Sequence, residues 1–226
     1  MRLLARLAVF LSFLIMVQYA NAASNNVYVD QVGSSSTINL TQTGSSNSIG
    51  DSTTHANFNG NSNLITIDQI GGNNITAISV EGDGNTLTHL FNGSYNQLSM
   101  LCSTCSSITI TDTVNGDSNI INRTFNTSGG TSSLNINSDN NEVTINNDSS
   151  AVAGASSTVN ISGGNGNTVS LKQTGAAGTN GHETSLAIIG ATNDVKINQG
   201  GNVDSTVHAT INGSGNTMSI NSNYSN

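Results

Sequence analysis

Cys102-Ser-Thr-Cys105 holds the only two cysteines of the chain, and a Cys-x-x-Cys spacing suits a redox centre, half of a zinc site or a disulfide across a turn. No second Cys-x-x-Cys and no neighbouring pair of histidines completes a zinc set. The chief readings are therefore a turn disulfide or two free thiols, with redox and metal roles behind them. The four histidines, His55, His89, His182 and His208, are scattered. His89 and His208 lie next to Leu87 and Ala209 at positions that alternation points inward, so both are expected as neutral, hydrogen-bonded core residues. No Ser-His-Asp set or carboxylate pair follows from spacing, and the 13 acidic side chains do not cluster, whereas acid–base catalysis needs such groups gathered on one face. Gly163-Gly-Asn-Gly-Asn167 and Gly82-Asp-Gly-Asn85 resemble a calcium-binding glycine repeat, but Asn stands where hard carboxylate ligands are required. Sequons such as Asn39-Leu-Thr41 and Asn92-Gly-Ser94 are expected by chance from this composition. The reading is of a chain with no catalytic residue, no cofactor site and no metal site.

The elements that would have to position any such chemistry come from a repeat. Gly60/Asn63, Gly71/Asn74, Gly82/Asn85 and Gly93/Asn96 return at an interval of 11 residues, so one short unit is copied along the chain. Each unit alternates apolar residues with period two and ends in Gly and small residues, the signature of a strand followed by a turn. The clearest copy starts at Asn63, with Ile65, Ile67 and Gln69 on one face, Leu64, Thr66 and Asp68 on the other, and Gly71 opening the turn. Asn25, Ser36, Asn167 and Asn193 begin similar units, ending in Gln31-x-Gly33, Gln42-x-Gly44, Gln173-x-Gly175 and Gln199-x-Gly201. Elsewhere Phe58, Val80, Phe91, Phe125 and Ile211 replace the Gln.

Unit starts fall near residues 25, 36, 52, 63, 74, 85, 96, 107, 119, 130, 141, 157, 167, 182, 193, 205 and 216. Irregularities are expected as a five-residue insertion at Asn47 to Asp51, one extra residue near Ser107 and another near Asp204. Asn147 to Ser156 and Gly175 to Gly181 read as loops, because insertions between stacked repeats are absorbed at turns. Cys102 takes a Gln position, and Cys105 falls in the turn where Gly is expected.

Residues 1–22 read as a secretory signal peptide: Arg2 and Arg6 give a basic start, Leu7 to Val17 an apolar run, and Ala20-Asn21-Ala22 a cleavage site. The apolar run is shorter than the ~20 residues that span a bilayer, so no membrane span is expected in the mature chain, residues 23–226. Beyond the leader, Arg123, Lys172 and Lys196 face 13 acidic side chains, a net charge of −10. Nucleic acid is therefore an unsuited partner. A composition so rich in Asn, Ser, Thr and Gly would elsewhere suggest disorder, but disorder does not hold apolar residues at alternate positions.

A lone short strand cannot bury its apolar face, whereas stacked rungs bury a continuous core. The expected fold is all-β: a parallel β-solenoid of roughly eight 22-residue rungs, two units to a rung, with two facing parallel sheets. Ile65, Ile67, Leu87, Leu98, Val169, Leu171, Val195 and Ile197 should point inward; Thr66, Thr88 and Lys196 should point out. Amide ladders are expected from Gln31, Gln42, Gln69, Gln173 and Gln199 and from Asn47, Asn63, Asn74, Asn85, Asn96, Asn119, Asn167, Asn193 and Asn216, since stacked amides satisfy one another. Turn glycines are Gly33, Gly44, Gly60, Gly71, Gly82, Gly93, Gly116, Gly175, Gly190, Gly201 and Gly213, placed where a sharp turn needs positive φ.

Ser36-x5-Gln42-x-Gly44-x-x-Asn47 resembles the first half of the curlin repeat, the unit of curli amyloid subunits of bacterial biofilm. Asn63-x5-Gln69-x-Gly71-x-x-Asn74 and Asn167-x5-Gln173-x-Gly175 are similar to it. The larger number of units and the Cys pair depart from that family. The resemblance implies a secreted subunit that polymerises end to end into fibres for adhesion and biofilm structure, with a nucleator subunit and secretion machinery as partners. The alternatives are a monomeric surface adhesin or an ice-binding solenoid, for which Thr109, Thr111 and Thr113 supply Thr-x-Thr. A carbohydrate-active β-helix enzyme comes last, because aromatic platforms are sparse.

Overall fold

The computed structural model describes residues 25–50, 55–71, 73–93, 95–115, 118–137, 140–148, 155–164, 166–174, 182–190, 192–201, 204–213 and 215–222. The expected signal peptide lies outside the described residues, as do Gly116, Gly175 and the expected loop at 175–181. No helix among the described residues is long and apolar enough to cross a membrane.

The strands are β1 (Asp30–Val32), β2 (Thr37–Thr43), β3 (Ala56–Asn59), β4 (Leu64–Ile70), β5 (Thr76–Glu81), β6 (Thr86–Asn92), β7 (Leu98–Asn115) and β8 (Ile121–Ile136). They continue as β9 (Val143–Asp148), β10 (Ala155–Gly164), β11 (Val169–Thr174), β12 (Glu183–Gly190), β13 (Val195–Gln199), β14 (Thr206–Ile211) and β15 (Met218–Ser222). Every pairing among them is parallel. One face stacks β1, β3, β5, β7, β8, β9, β11, β13 and β15; the other stacks β2, β4, β6, β7, β8, β10, β12 and β14. Nine strand segments on one face and eight on the other, among the described residues, form the expected parallel β-solenoid with close to the expected number of rungs.

Alternation does the folding work. Along β2 and β4 each second residue is buried and its neighbours are exposed or half-buried, so the inward side chains of both faces meet in one core. Ile65, Ile67, Leu87, Leu98, Val169, Leu171, Val195 and Ile197 all lie in it, while Thr66, Thr88 and Lys196 point outward. Parallel register places like positions above one another, as in Ile38–Ile65–Leu87–Ile110 on one face and Val143–Val169–Val195–Met218 on the other.

The irregularities sit differently from the sequence-based expectation. Asn47 to Ile49 stay in register, with Ile49 buried and its N–H bonded to the Ile75 carbonyl, so the insertion expected to begin at Asn47 begins only after Ile49. The extra residue expected near Ser107 is a bulge between Cys102 and Cys105, where the register of β7 shifts against both β5 and β8. At that corner β7 runs through both faces as a single 18-residue strand, so Cys105 occupies extended chain and not a separate turn. The expected loop from Asn147 starts late, because β9 continues to Asp148.

Candidate functional site

Asn side chains form the longest polar feature. At one corner of the solenoid each Asn donates its Nδ2 to the Oδ1 of the Asn one rung earlier: Asn74 to Asn47 at 2.6 Å, Asn96 to Asn74 at 2.6 Å, Asn119 to Asn96 at 2.7 Å and Asn141 to Asn119 at 2.5 Å. Asn167 to Asn141 and Asn193 to Asn167, both at 2.6 Å, carry it on, and Asn216 donates to Asn193. From Asn47 to Asn193 these residues are buried, so each amide replaces the water its neighbour has lost. Asn141 was not among the expected ladder residues. Its unit carries Asn147 where others have Gln and Ser149 where others have Gly, which hid the match. Asn63 and Asn85 belong to the opposite corner and act otherwise: their Oδ1 atoms accept the backbone N–H groups of Ser36 and Asn63.

The glutamines divide into pairs. Gln69 donates to Gln42 at 2.7 Å on one face, and Gln173 donates to Gln199 at 2.9 Å on the other. Gln31 is half-buried and turns toward the corner, bonding Gly33 O at 2.8 Å and Ser36 Oγ at 2.9 Å. Gln42 also donates to the Ser48 carbonyl, and Gln199 to Ser205 Oγ at 2.6 Å.

Turn glycines meet a second requirement besides φ. Gly33, Gly44, Gly60, Gly71, Gly82 and Gly201 have positive φ, yet Gly93 and Gly213 do not, and a Cβ on either would lie 1.5 Å from the carbonyl oxygen of the glycine beneath. Rungs touch through their glycine backbones. Gly190 is the glycine beneath Gly213.

Between the two Gln pairs the core holds a charged cluster that spacing did not suggest. Thr76 Oγ1 bonds Gln69 Oε1 and lies 3.0 Å from His89 Nε2; His89 Nδ1 stands 3.9 Å from Asp112 Oδ1. Arg123 pairs with the other carboxylate oxygen of Asp112 and donates to Ser132 Oγ at 2.6 Å. Thr76, Asp112 and Arg123 are 0% exposed and His89 1%. Polar side chains therefore run through the core from Gln42 to Ser132, without a hydrogen bond between His89 and Asp112. Thr76, His89 and Asp112 have the order of a hydrolase triad, but no substrate can reach them, and Arg123 already holds the carboxylate.

Burial, and next the Arg123 charge, lower the His89 pKa to about 3; burial lowers that of Arg123 to about 9, which leaves it charged at neutral pH. An unfolded histidine takes its proton near pH ~6.5. Stability is thus complete above that value and is lost as the pH falls toward about 3. His89→Leu, which places in this column the residue found at Leu134, should flatten the fall of the urea midpoint between roughly pH 7 and roughly pH 4. Equal slopes in parent and variant would assign the acid sensitivity to other groups.

The remaining candidates are placed as follows. Cys102 and Cys105 are joined by a disulfide across the bulge, their Cα atoms 5.9 Å apart, both buried. His208 points outward and is exposed, contrary to expectation, because Val207 and Ala209 are the inward residues of β14. His182 is buried with φ +62°, and His55 is half-buried. Asp83, in the calcium-like sequence, accepts the Ser106 N–H at 3.1 Å and so links rungs. Among the described residues no three His, Cys, Asp or Glu side chains gather to hold a metal.

These features define a parallel β-solenoid repeat protein built on amide ladders and stacked glycines. Residues 60–88, which hold β4, β5 and the start of β6, match the family model of the curlin associated repeat. No curated protein and no solved structure matches the chain.

Proposed function

We propose that this chain is a secreted structural subunit that polymerises end to end into extracellular amyloid-like fibres serving biofilm matrix, adhesion or surface coating, and that it is not an enzyme. The observation that carries this reading is the edge at β15. Met218 and Ile220 continue the columns of Val195 and Ile197, yet they are 51% and 45% exposed where their equivalents are buried. A sheet edge with free N–H and C=O groups and an uncovered apolar column is a template for another strand. A second copy supplies that strand in matching chemistry, since Val27, Val29 and Gln31 lead the same columns at the other end. Such a contact is heterologous and continues without closing. The curlin-repeat match at residues 60–88 supports the same reading, as does the leader-like sequence of residues 1–22. A nucleating subunit and a secretion apparatus are the partners it calls for.

The test uses the first rung. Asn57 N–H bonds the Val29 carbonyl, and Leu64 N–H bonds the Ser36 carbonyl, so alternation turns the backbone groups of Asp30 and Asn39 away from the second rung. Proline at both positions removes two outward donors. The Asp30→Pro/Asn39→Pro variant should keep the β signal in circular dichroism and lose fibre growth, seen by electron microscopy and amyloid-dye binding. Fibres growing at the parent rate would show that this edge is not a growing surface, and a parent that stays monomeric at high concentration would remove the polymer reading.

One observation favours a binding module as a second reading. Register aligns Thr66, Thr88, Thr111, Ser133, Thr158 and Ser185 into a single outward hydroxyl column. A monomer that inhibits ice recrystallisation would favour this reading; no inhibition would leave surface adhesion as its remaining form.

A further inference from the structure

Arg123 takes the core position that Met100 and Ile145 fill in the rungs on either side of it, and Asp112 takes the position that Leu134 fills one rung later. Among the described residues the other rungs carry apolar side chains at these two positions, apart from His89 in the rung before Asp112. We propose that the buried Asp112–Arg123 pair is a register key, which forces β7 and β8 to stack as consecutive rungs in a chain whose units are otherwise interchangeable.

The need for a key follows from the repeat itself. If a whole rung is looped out, the next one still meets an Asn at the ladder corner and aliphatic residues in the core. Alternation forbids a one-residue slip, which would turn the apolar set outward, but a shift by a whole rung keeps that set inward, and the entropy of closing a longer loop grows only slowly with its length. Neither backbone pairing nor the Asn ladder distinguishes Asn119 on Asn96 from Asn119 on Asn74. The ion pair does. Looping out β7 would bring Arg123 over Ile78 and opposite His89, with no carboxylate in reach; looping out β8 would leave Asp112 buried without its cation. An unpaired buried charge is strongly unfavourable, while a buried pair adds little to stability over apolar residues of similar size. The pair therefore acts on the alternatives more than on the native stack. No other Asp, Glu, Lys or Arg side chain is buried among the described residues, so neither partner has a substitute. The groups facing the pair are His89 from β6, Ser132 from β8 and Thr76 from β5 through His89.

The experiment measures rung order directly. Spin labels on keto amino acids at Thr66 and Thr158, outward residues of β4 and β10, are separated by four pairing steps through β6, β7 and β8. At ~4.8 Å per step the parent should give a single distance near 19 Å plus the label arms. Asp112→Leu/Arg123→Met, which makes both positions apolar, should keep the β signal and add a population shorter by one step, about 5 Å. A single parent-like distance in that variant overturns the key. Should the double variant fail to fold, the charge swap Asp112→Arg/Arg123→Asp takes its place. The swap should restore the single distance that Asp112→Arg alone loses, and a swap as heterogeneous as the single change overturns the proposal equally.

Discussion

Gly71→Ala is expected to cost the fold more than ~3 kcal/mol, at the far end of what single substitutions do, whereas Gly84→Ala should cost about 1 kcal/mol. The two differ in what surrounds them. A Cβ on Gly71 would lie 1.4 Å from the Gly44 carbonyl oxygen and 2.8 Å from Asn47 Oδ1, at φ +151°. Relief would require two rungs to separate, which breaks the neighbouring ladder bonds. A Cβ on Gly84 has Ser62 Oγ as its nearest atom at 3.5 Å, and φ +67° is the only strain. At the same corner Ser35, Ser62 and Ser107 already adopt φ of +61°, +58° and +58°, so an L residue is tolerated there. Urea denaturation of both variants against the parent measures the contrast. Similar losses would mean that φ, and not close approach between rungs, decides where glycine is required.

What the sequence made legible were properties that depend on position within a unit. Period two marked Ile65 and Ile67 as inward and Thr66 as outward, and the 11-residue return gave the stacking of like positions. What it hid were properties that depend on which units touch. The register of Asn47 could be settled only once Asn74 was seen to bond it, which moves the insertion past Ile49. The expectation for His208 fails because Ala209 and His208 cannot both point inward in a strand, and the inward, half-buried side of β14 runs through Val207, Ala209 and Ile211. The charged cluster did leave a signal. Asp112 lies between Ile110 and Val114, and Arg123 lies between Ile121 and Phe125, at the same place in consecutive units. Opposite charges at inward positions one unit apart meet across the core, because consecutive units lie on facing sheets.

The cluster and the disulfide share the middle of the stack. Cys102–Cys105 closes the bulge of β7, the strand that also carries Asp112, and β8 beside it carries Arg123 and Phe125. The outer rungs rely on repeated amides and aliphatics, while the central ones carry residues that occur once. If the chain polymerises as proposed, it needs uniform chemistry at its ends, where any copy must fit any other, and individual chemistry where its own rungs must not be confused.

Asn119→Leu should destabilise the chain by about 2 to 5 kcal/mol, because it breaks the buried ladder hydrogen bonds on both sides of Asn119. Asn119 donates to Asn96 Oδ1 at 2.7 Å and accepts from Asn141 Nδ2 at 2.5 Å, and all three side chains are buried. Leu has the branched shape of Asn but larger methyl groups, which need more room than the 2.7 and 2.5 Å between the stacked amides, so overpacking adds to the lost hydrogen bonds. Asn216→Leu offers the contrast. Asn216 bonds Asn193 alone among the ladder residues and is itself exposed, so water can take the place of one partner and the cost should stay below ~1 kcal/mol. In fibres the order should change. A copy stacked on β15 would extend the ladder through Asn216 and bury it, so Asn216→Leu should slow elongation while leaving the monomer's urea midpoint nearly unmoved. Seeded growth rates and monomer denaturation on the same two variants separate the effects, and an Asn216 variant that elongates at the parent rate would show that the ladder stops within each subunit.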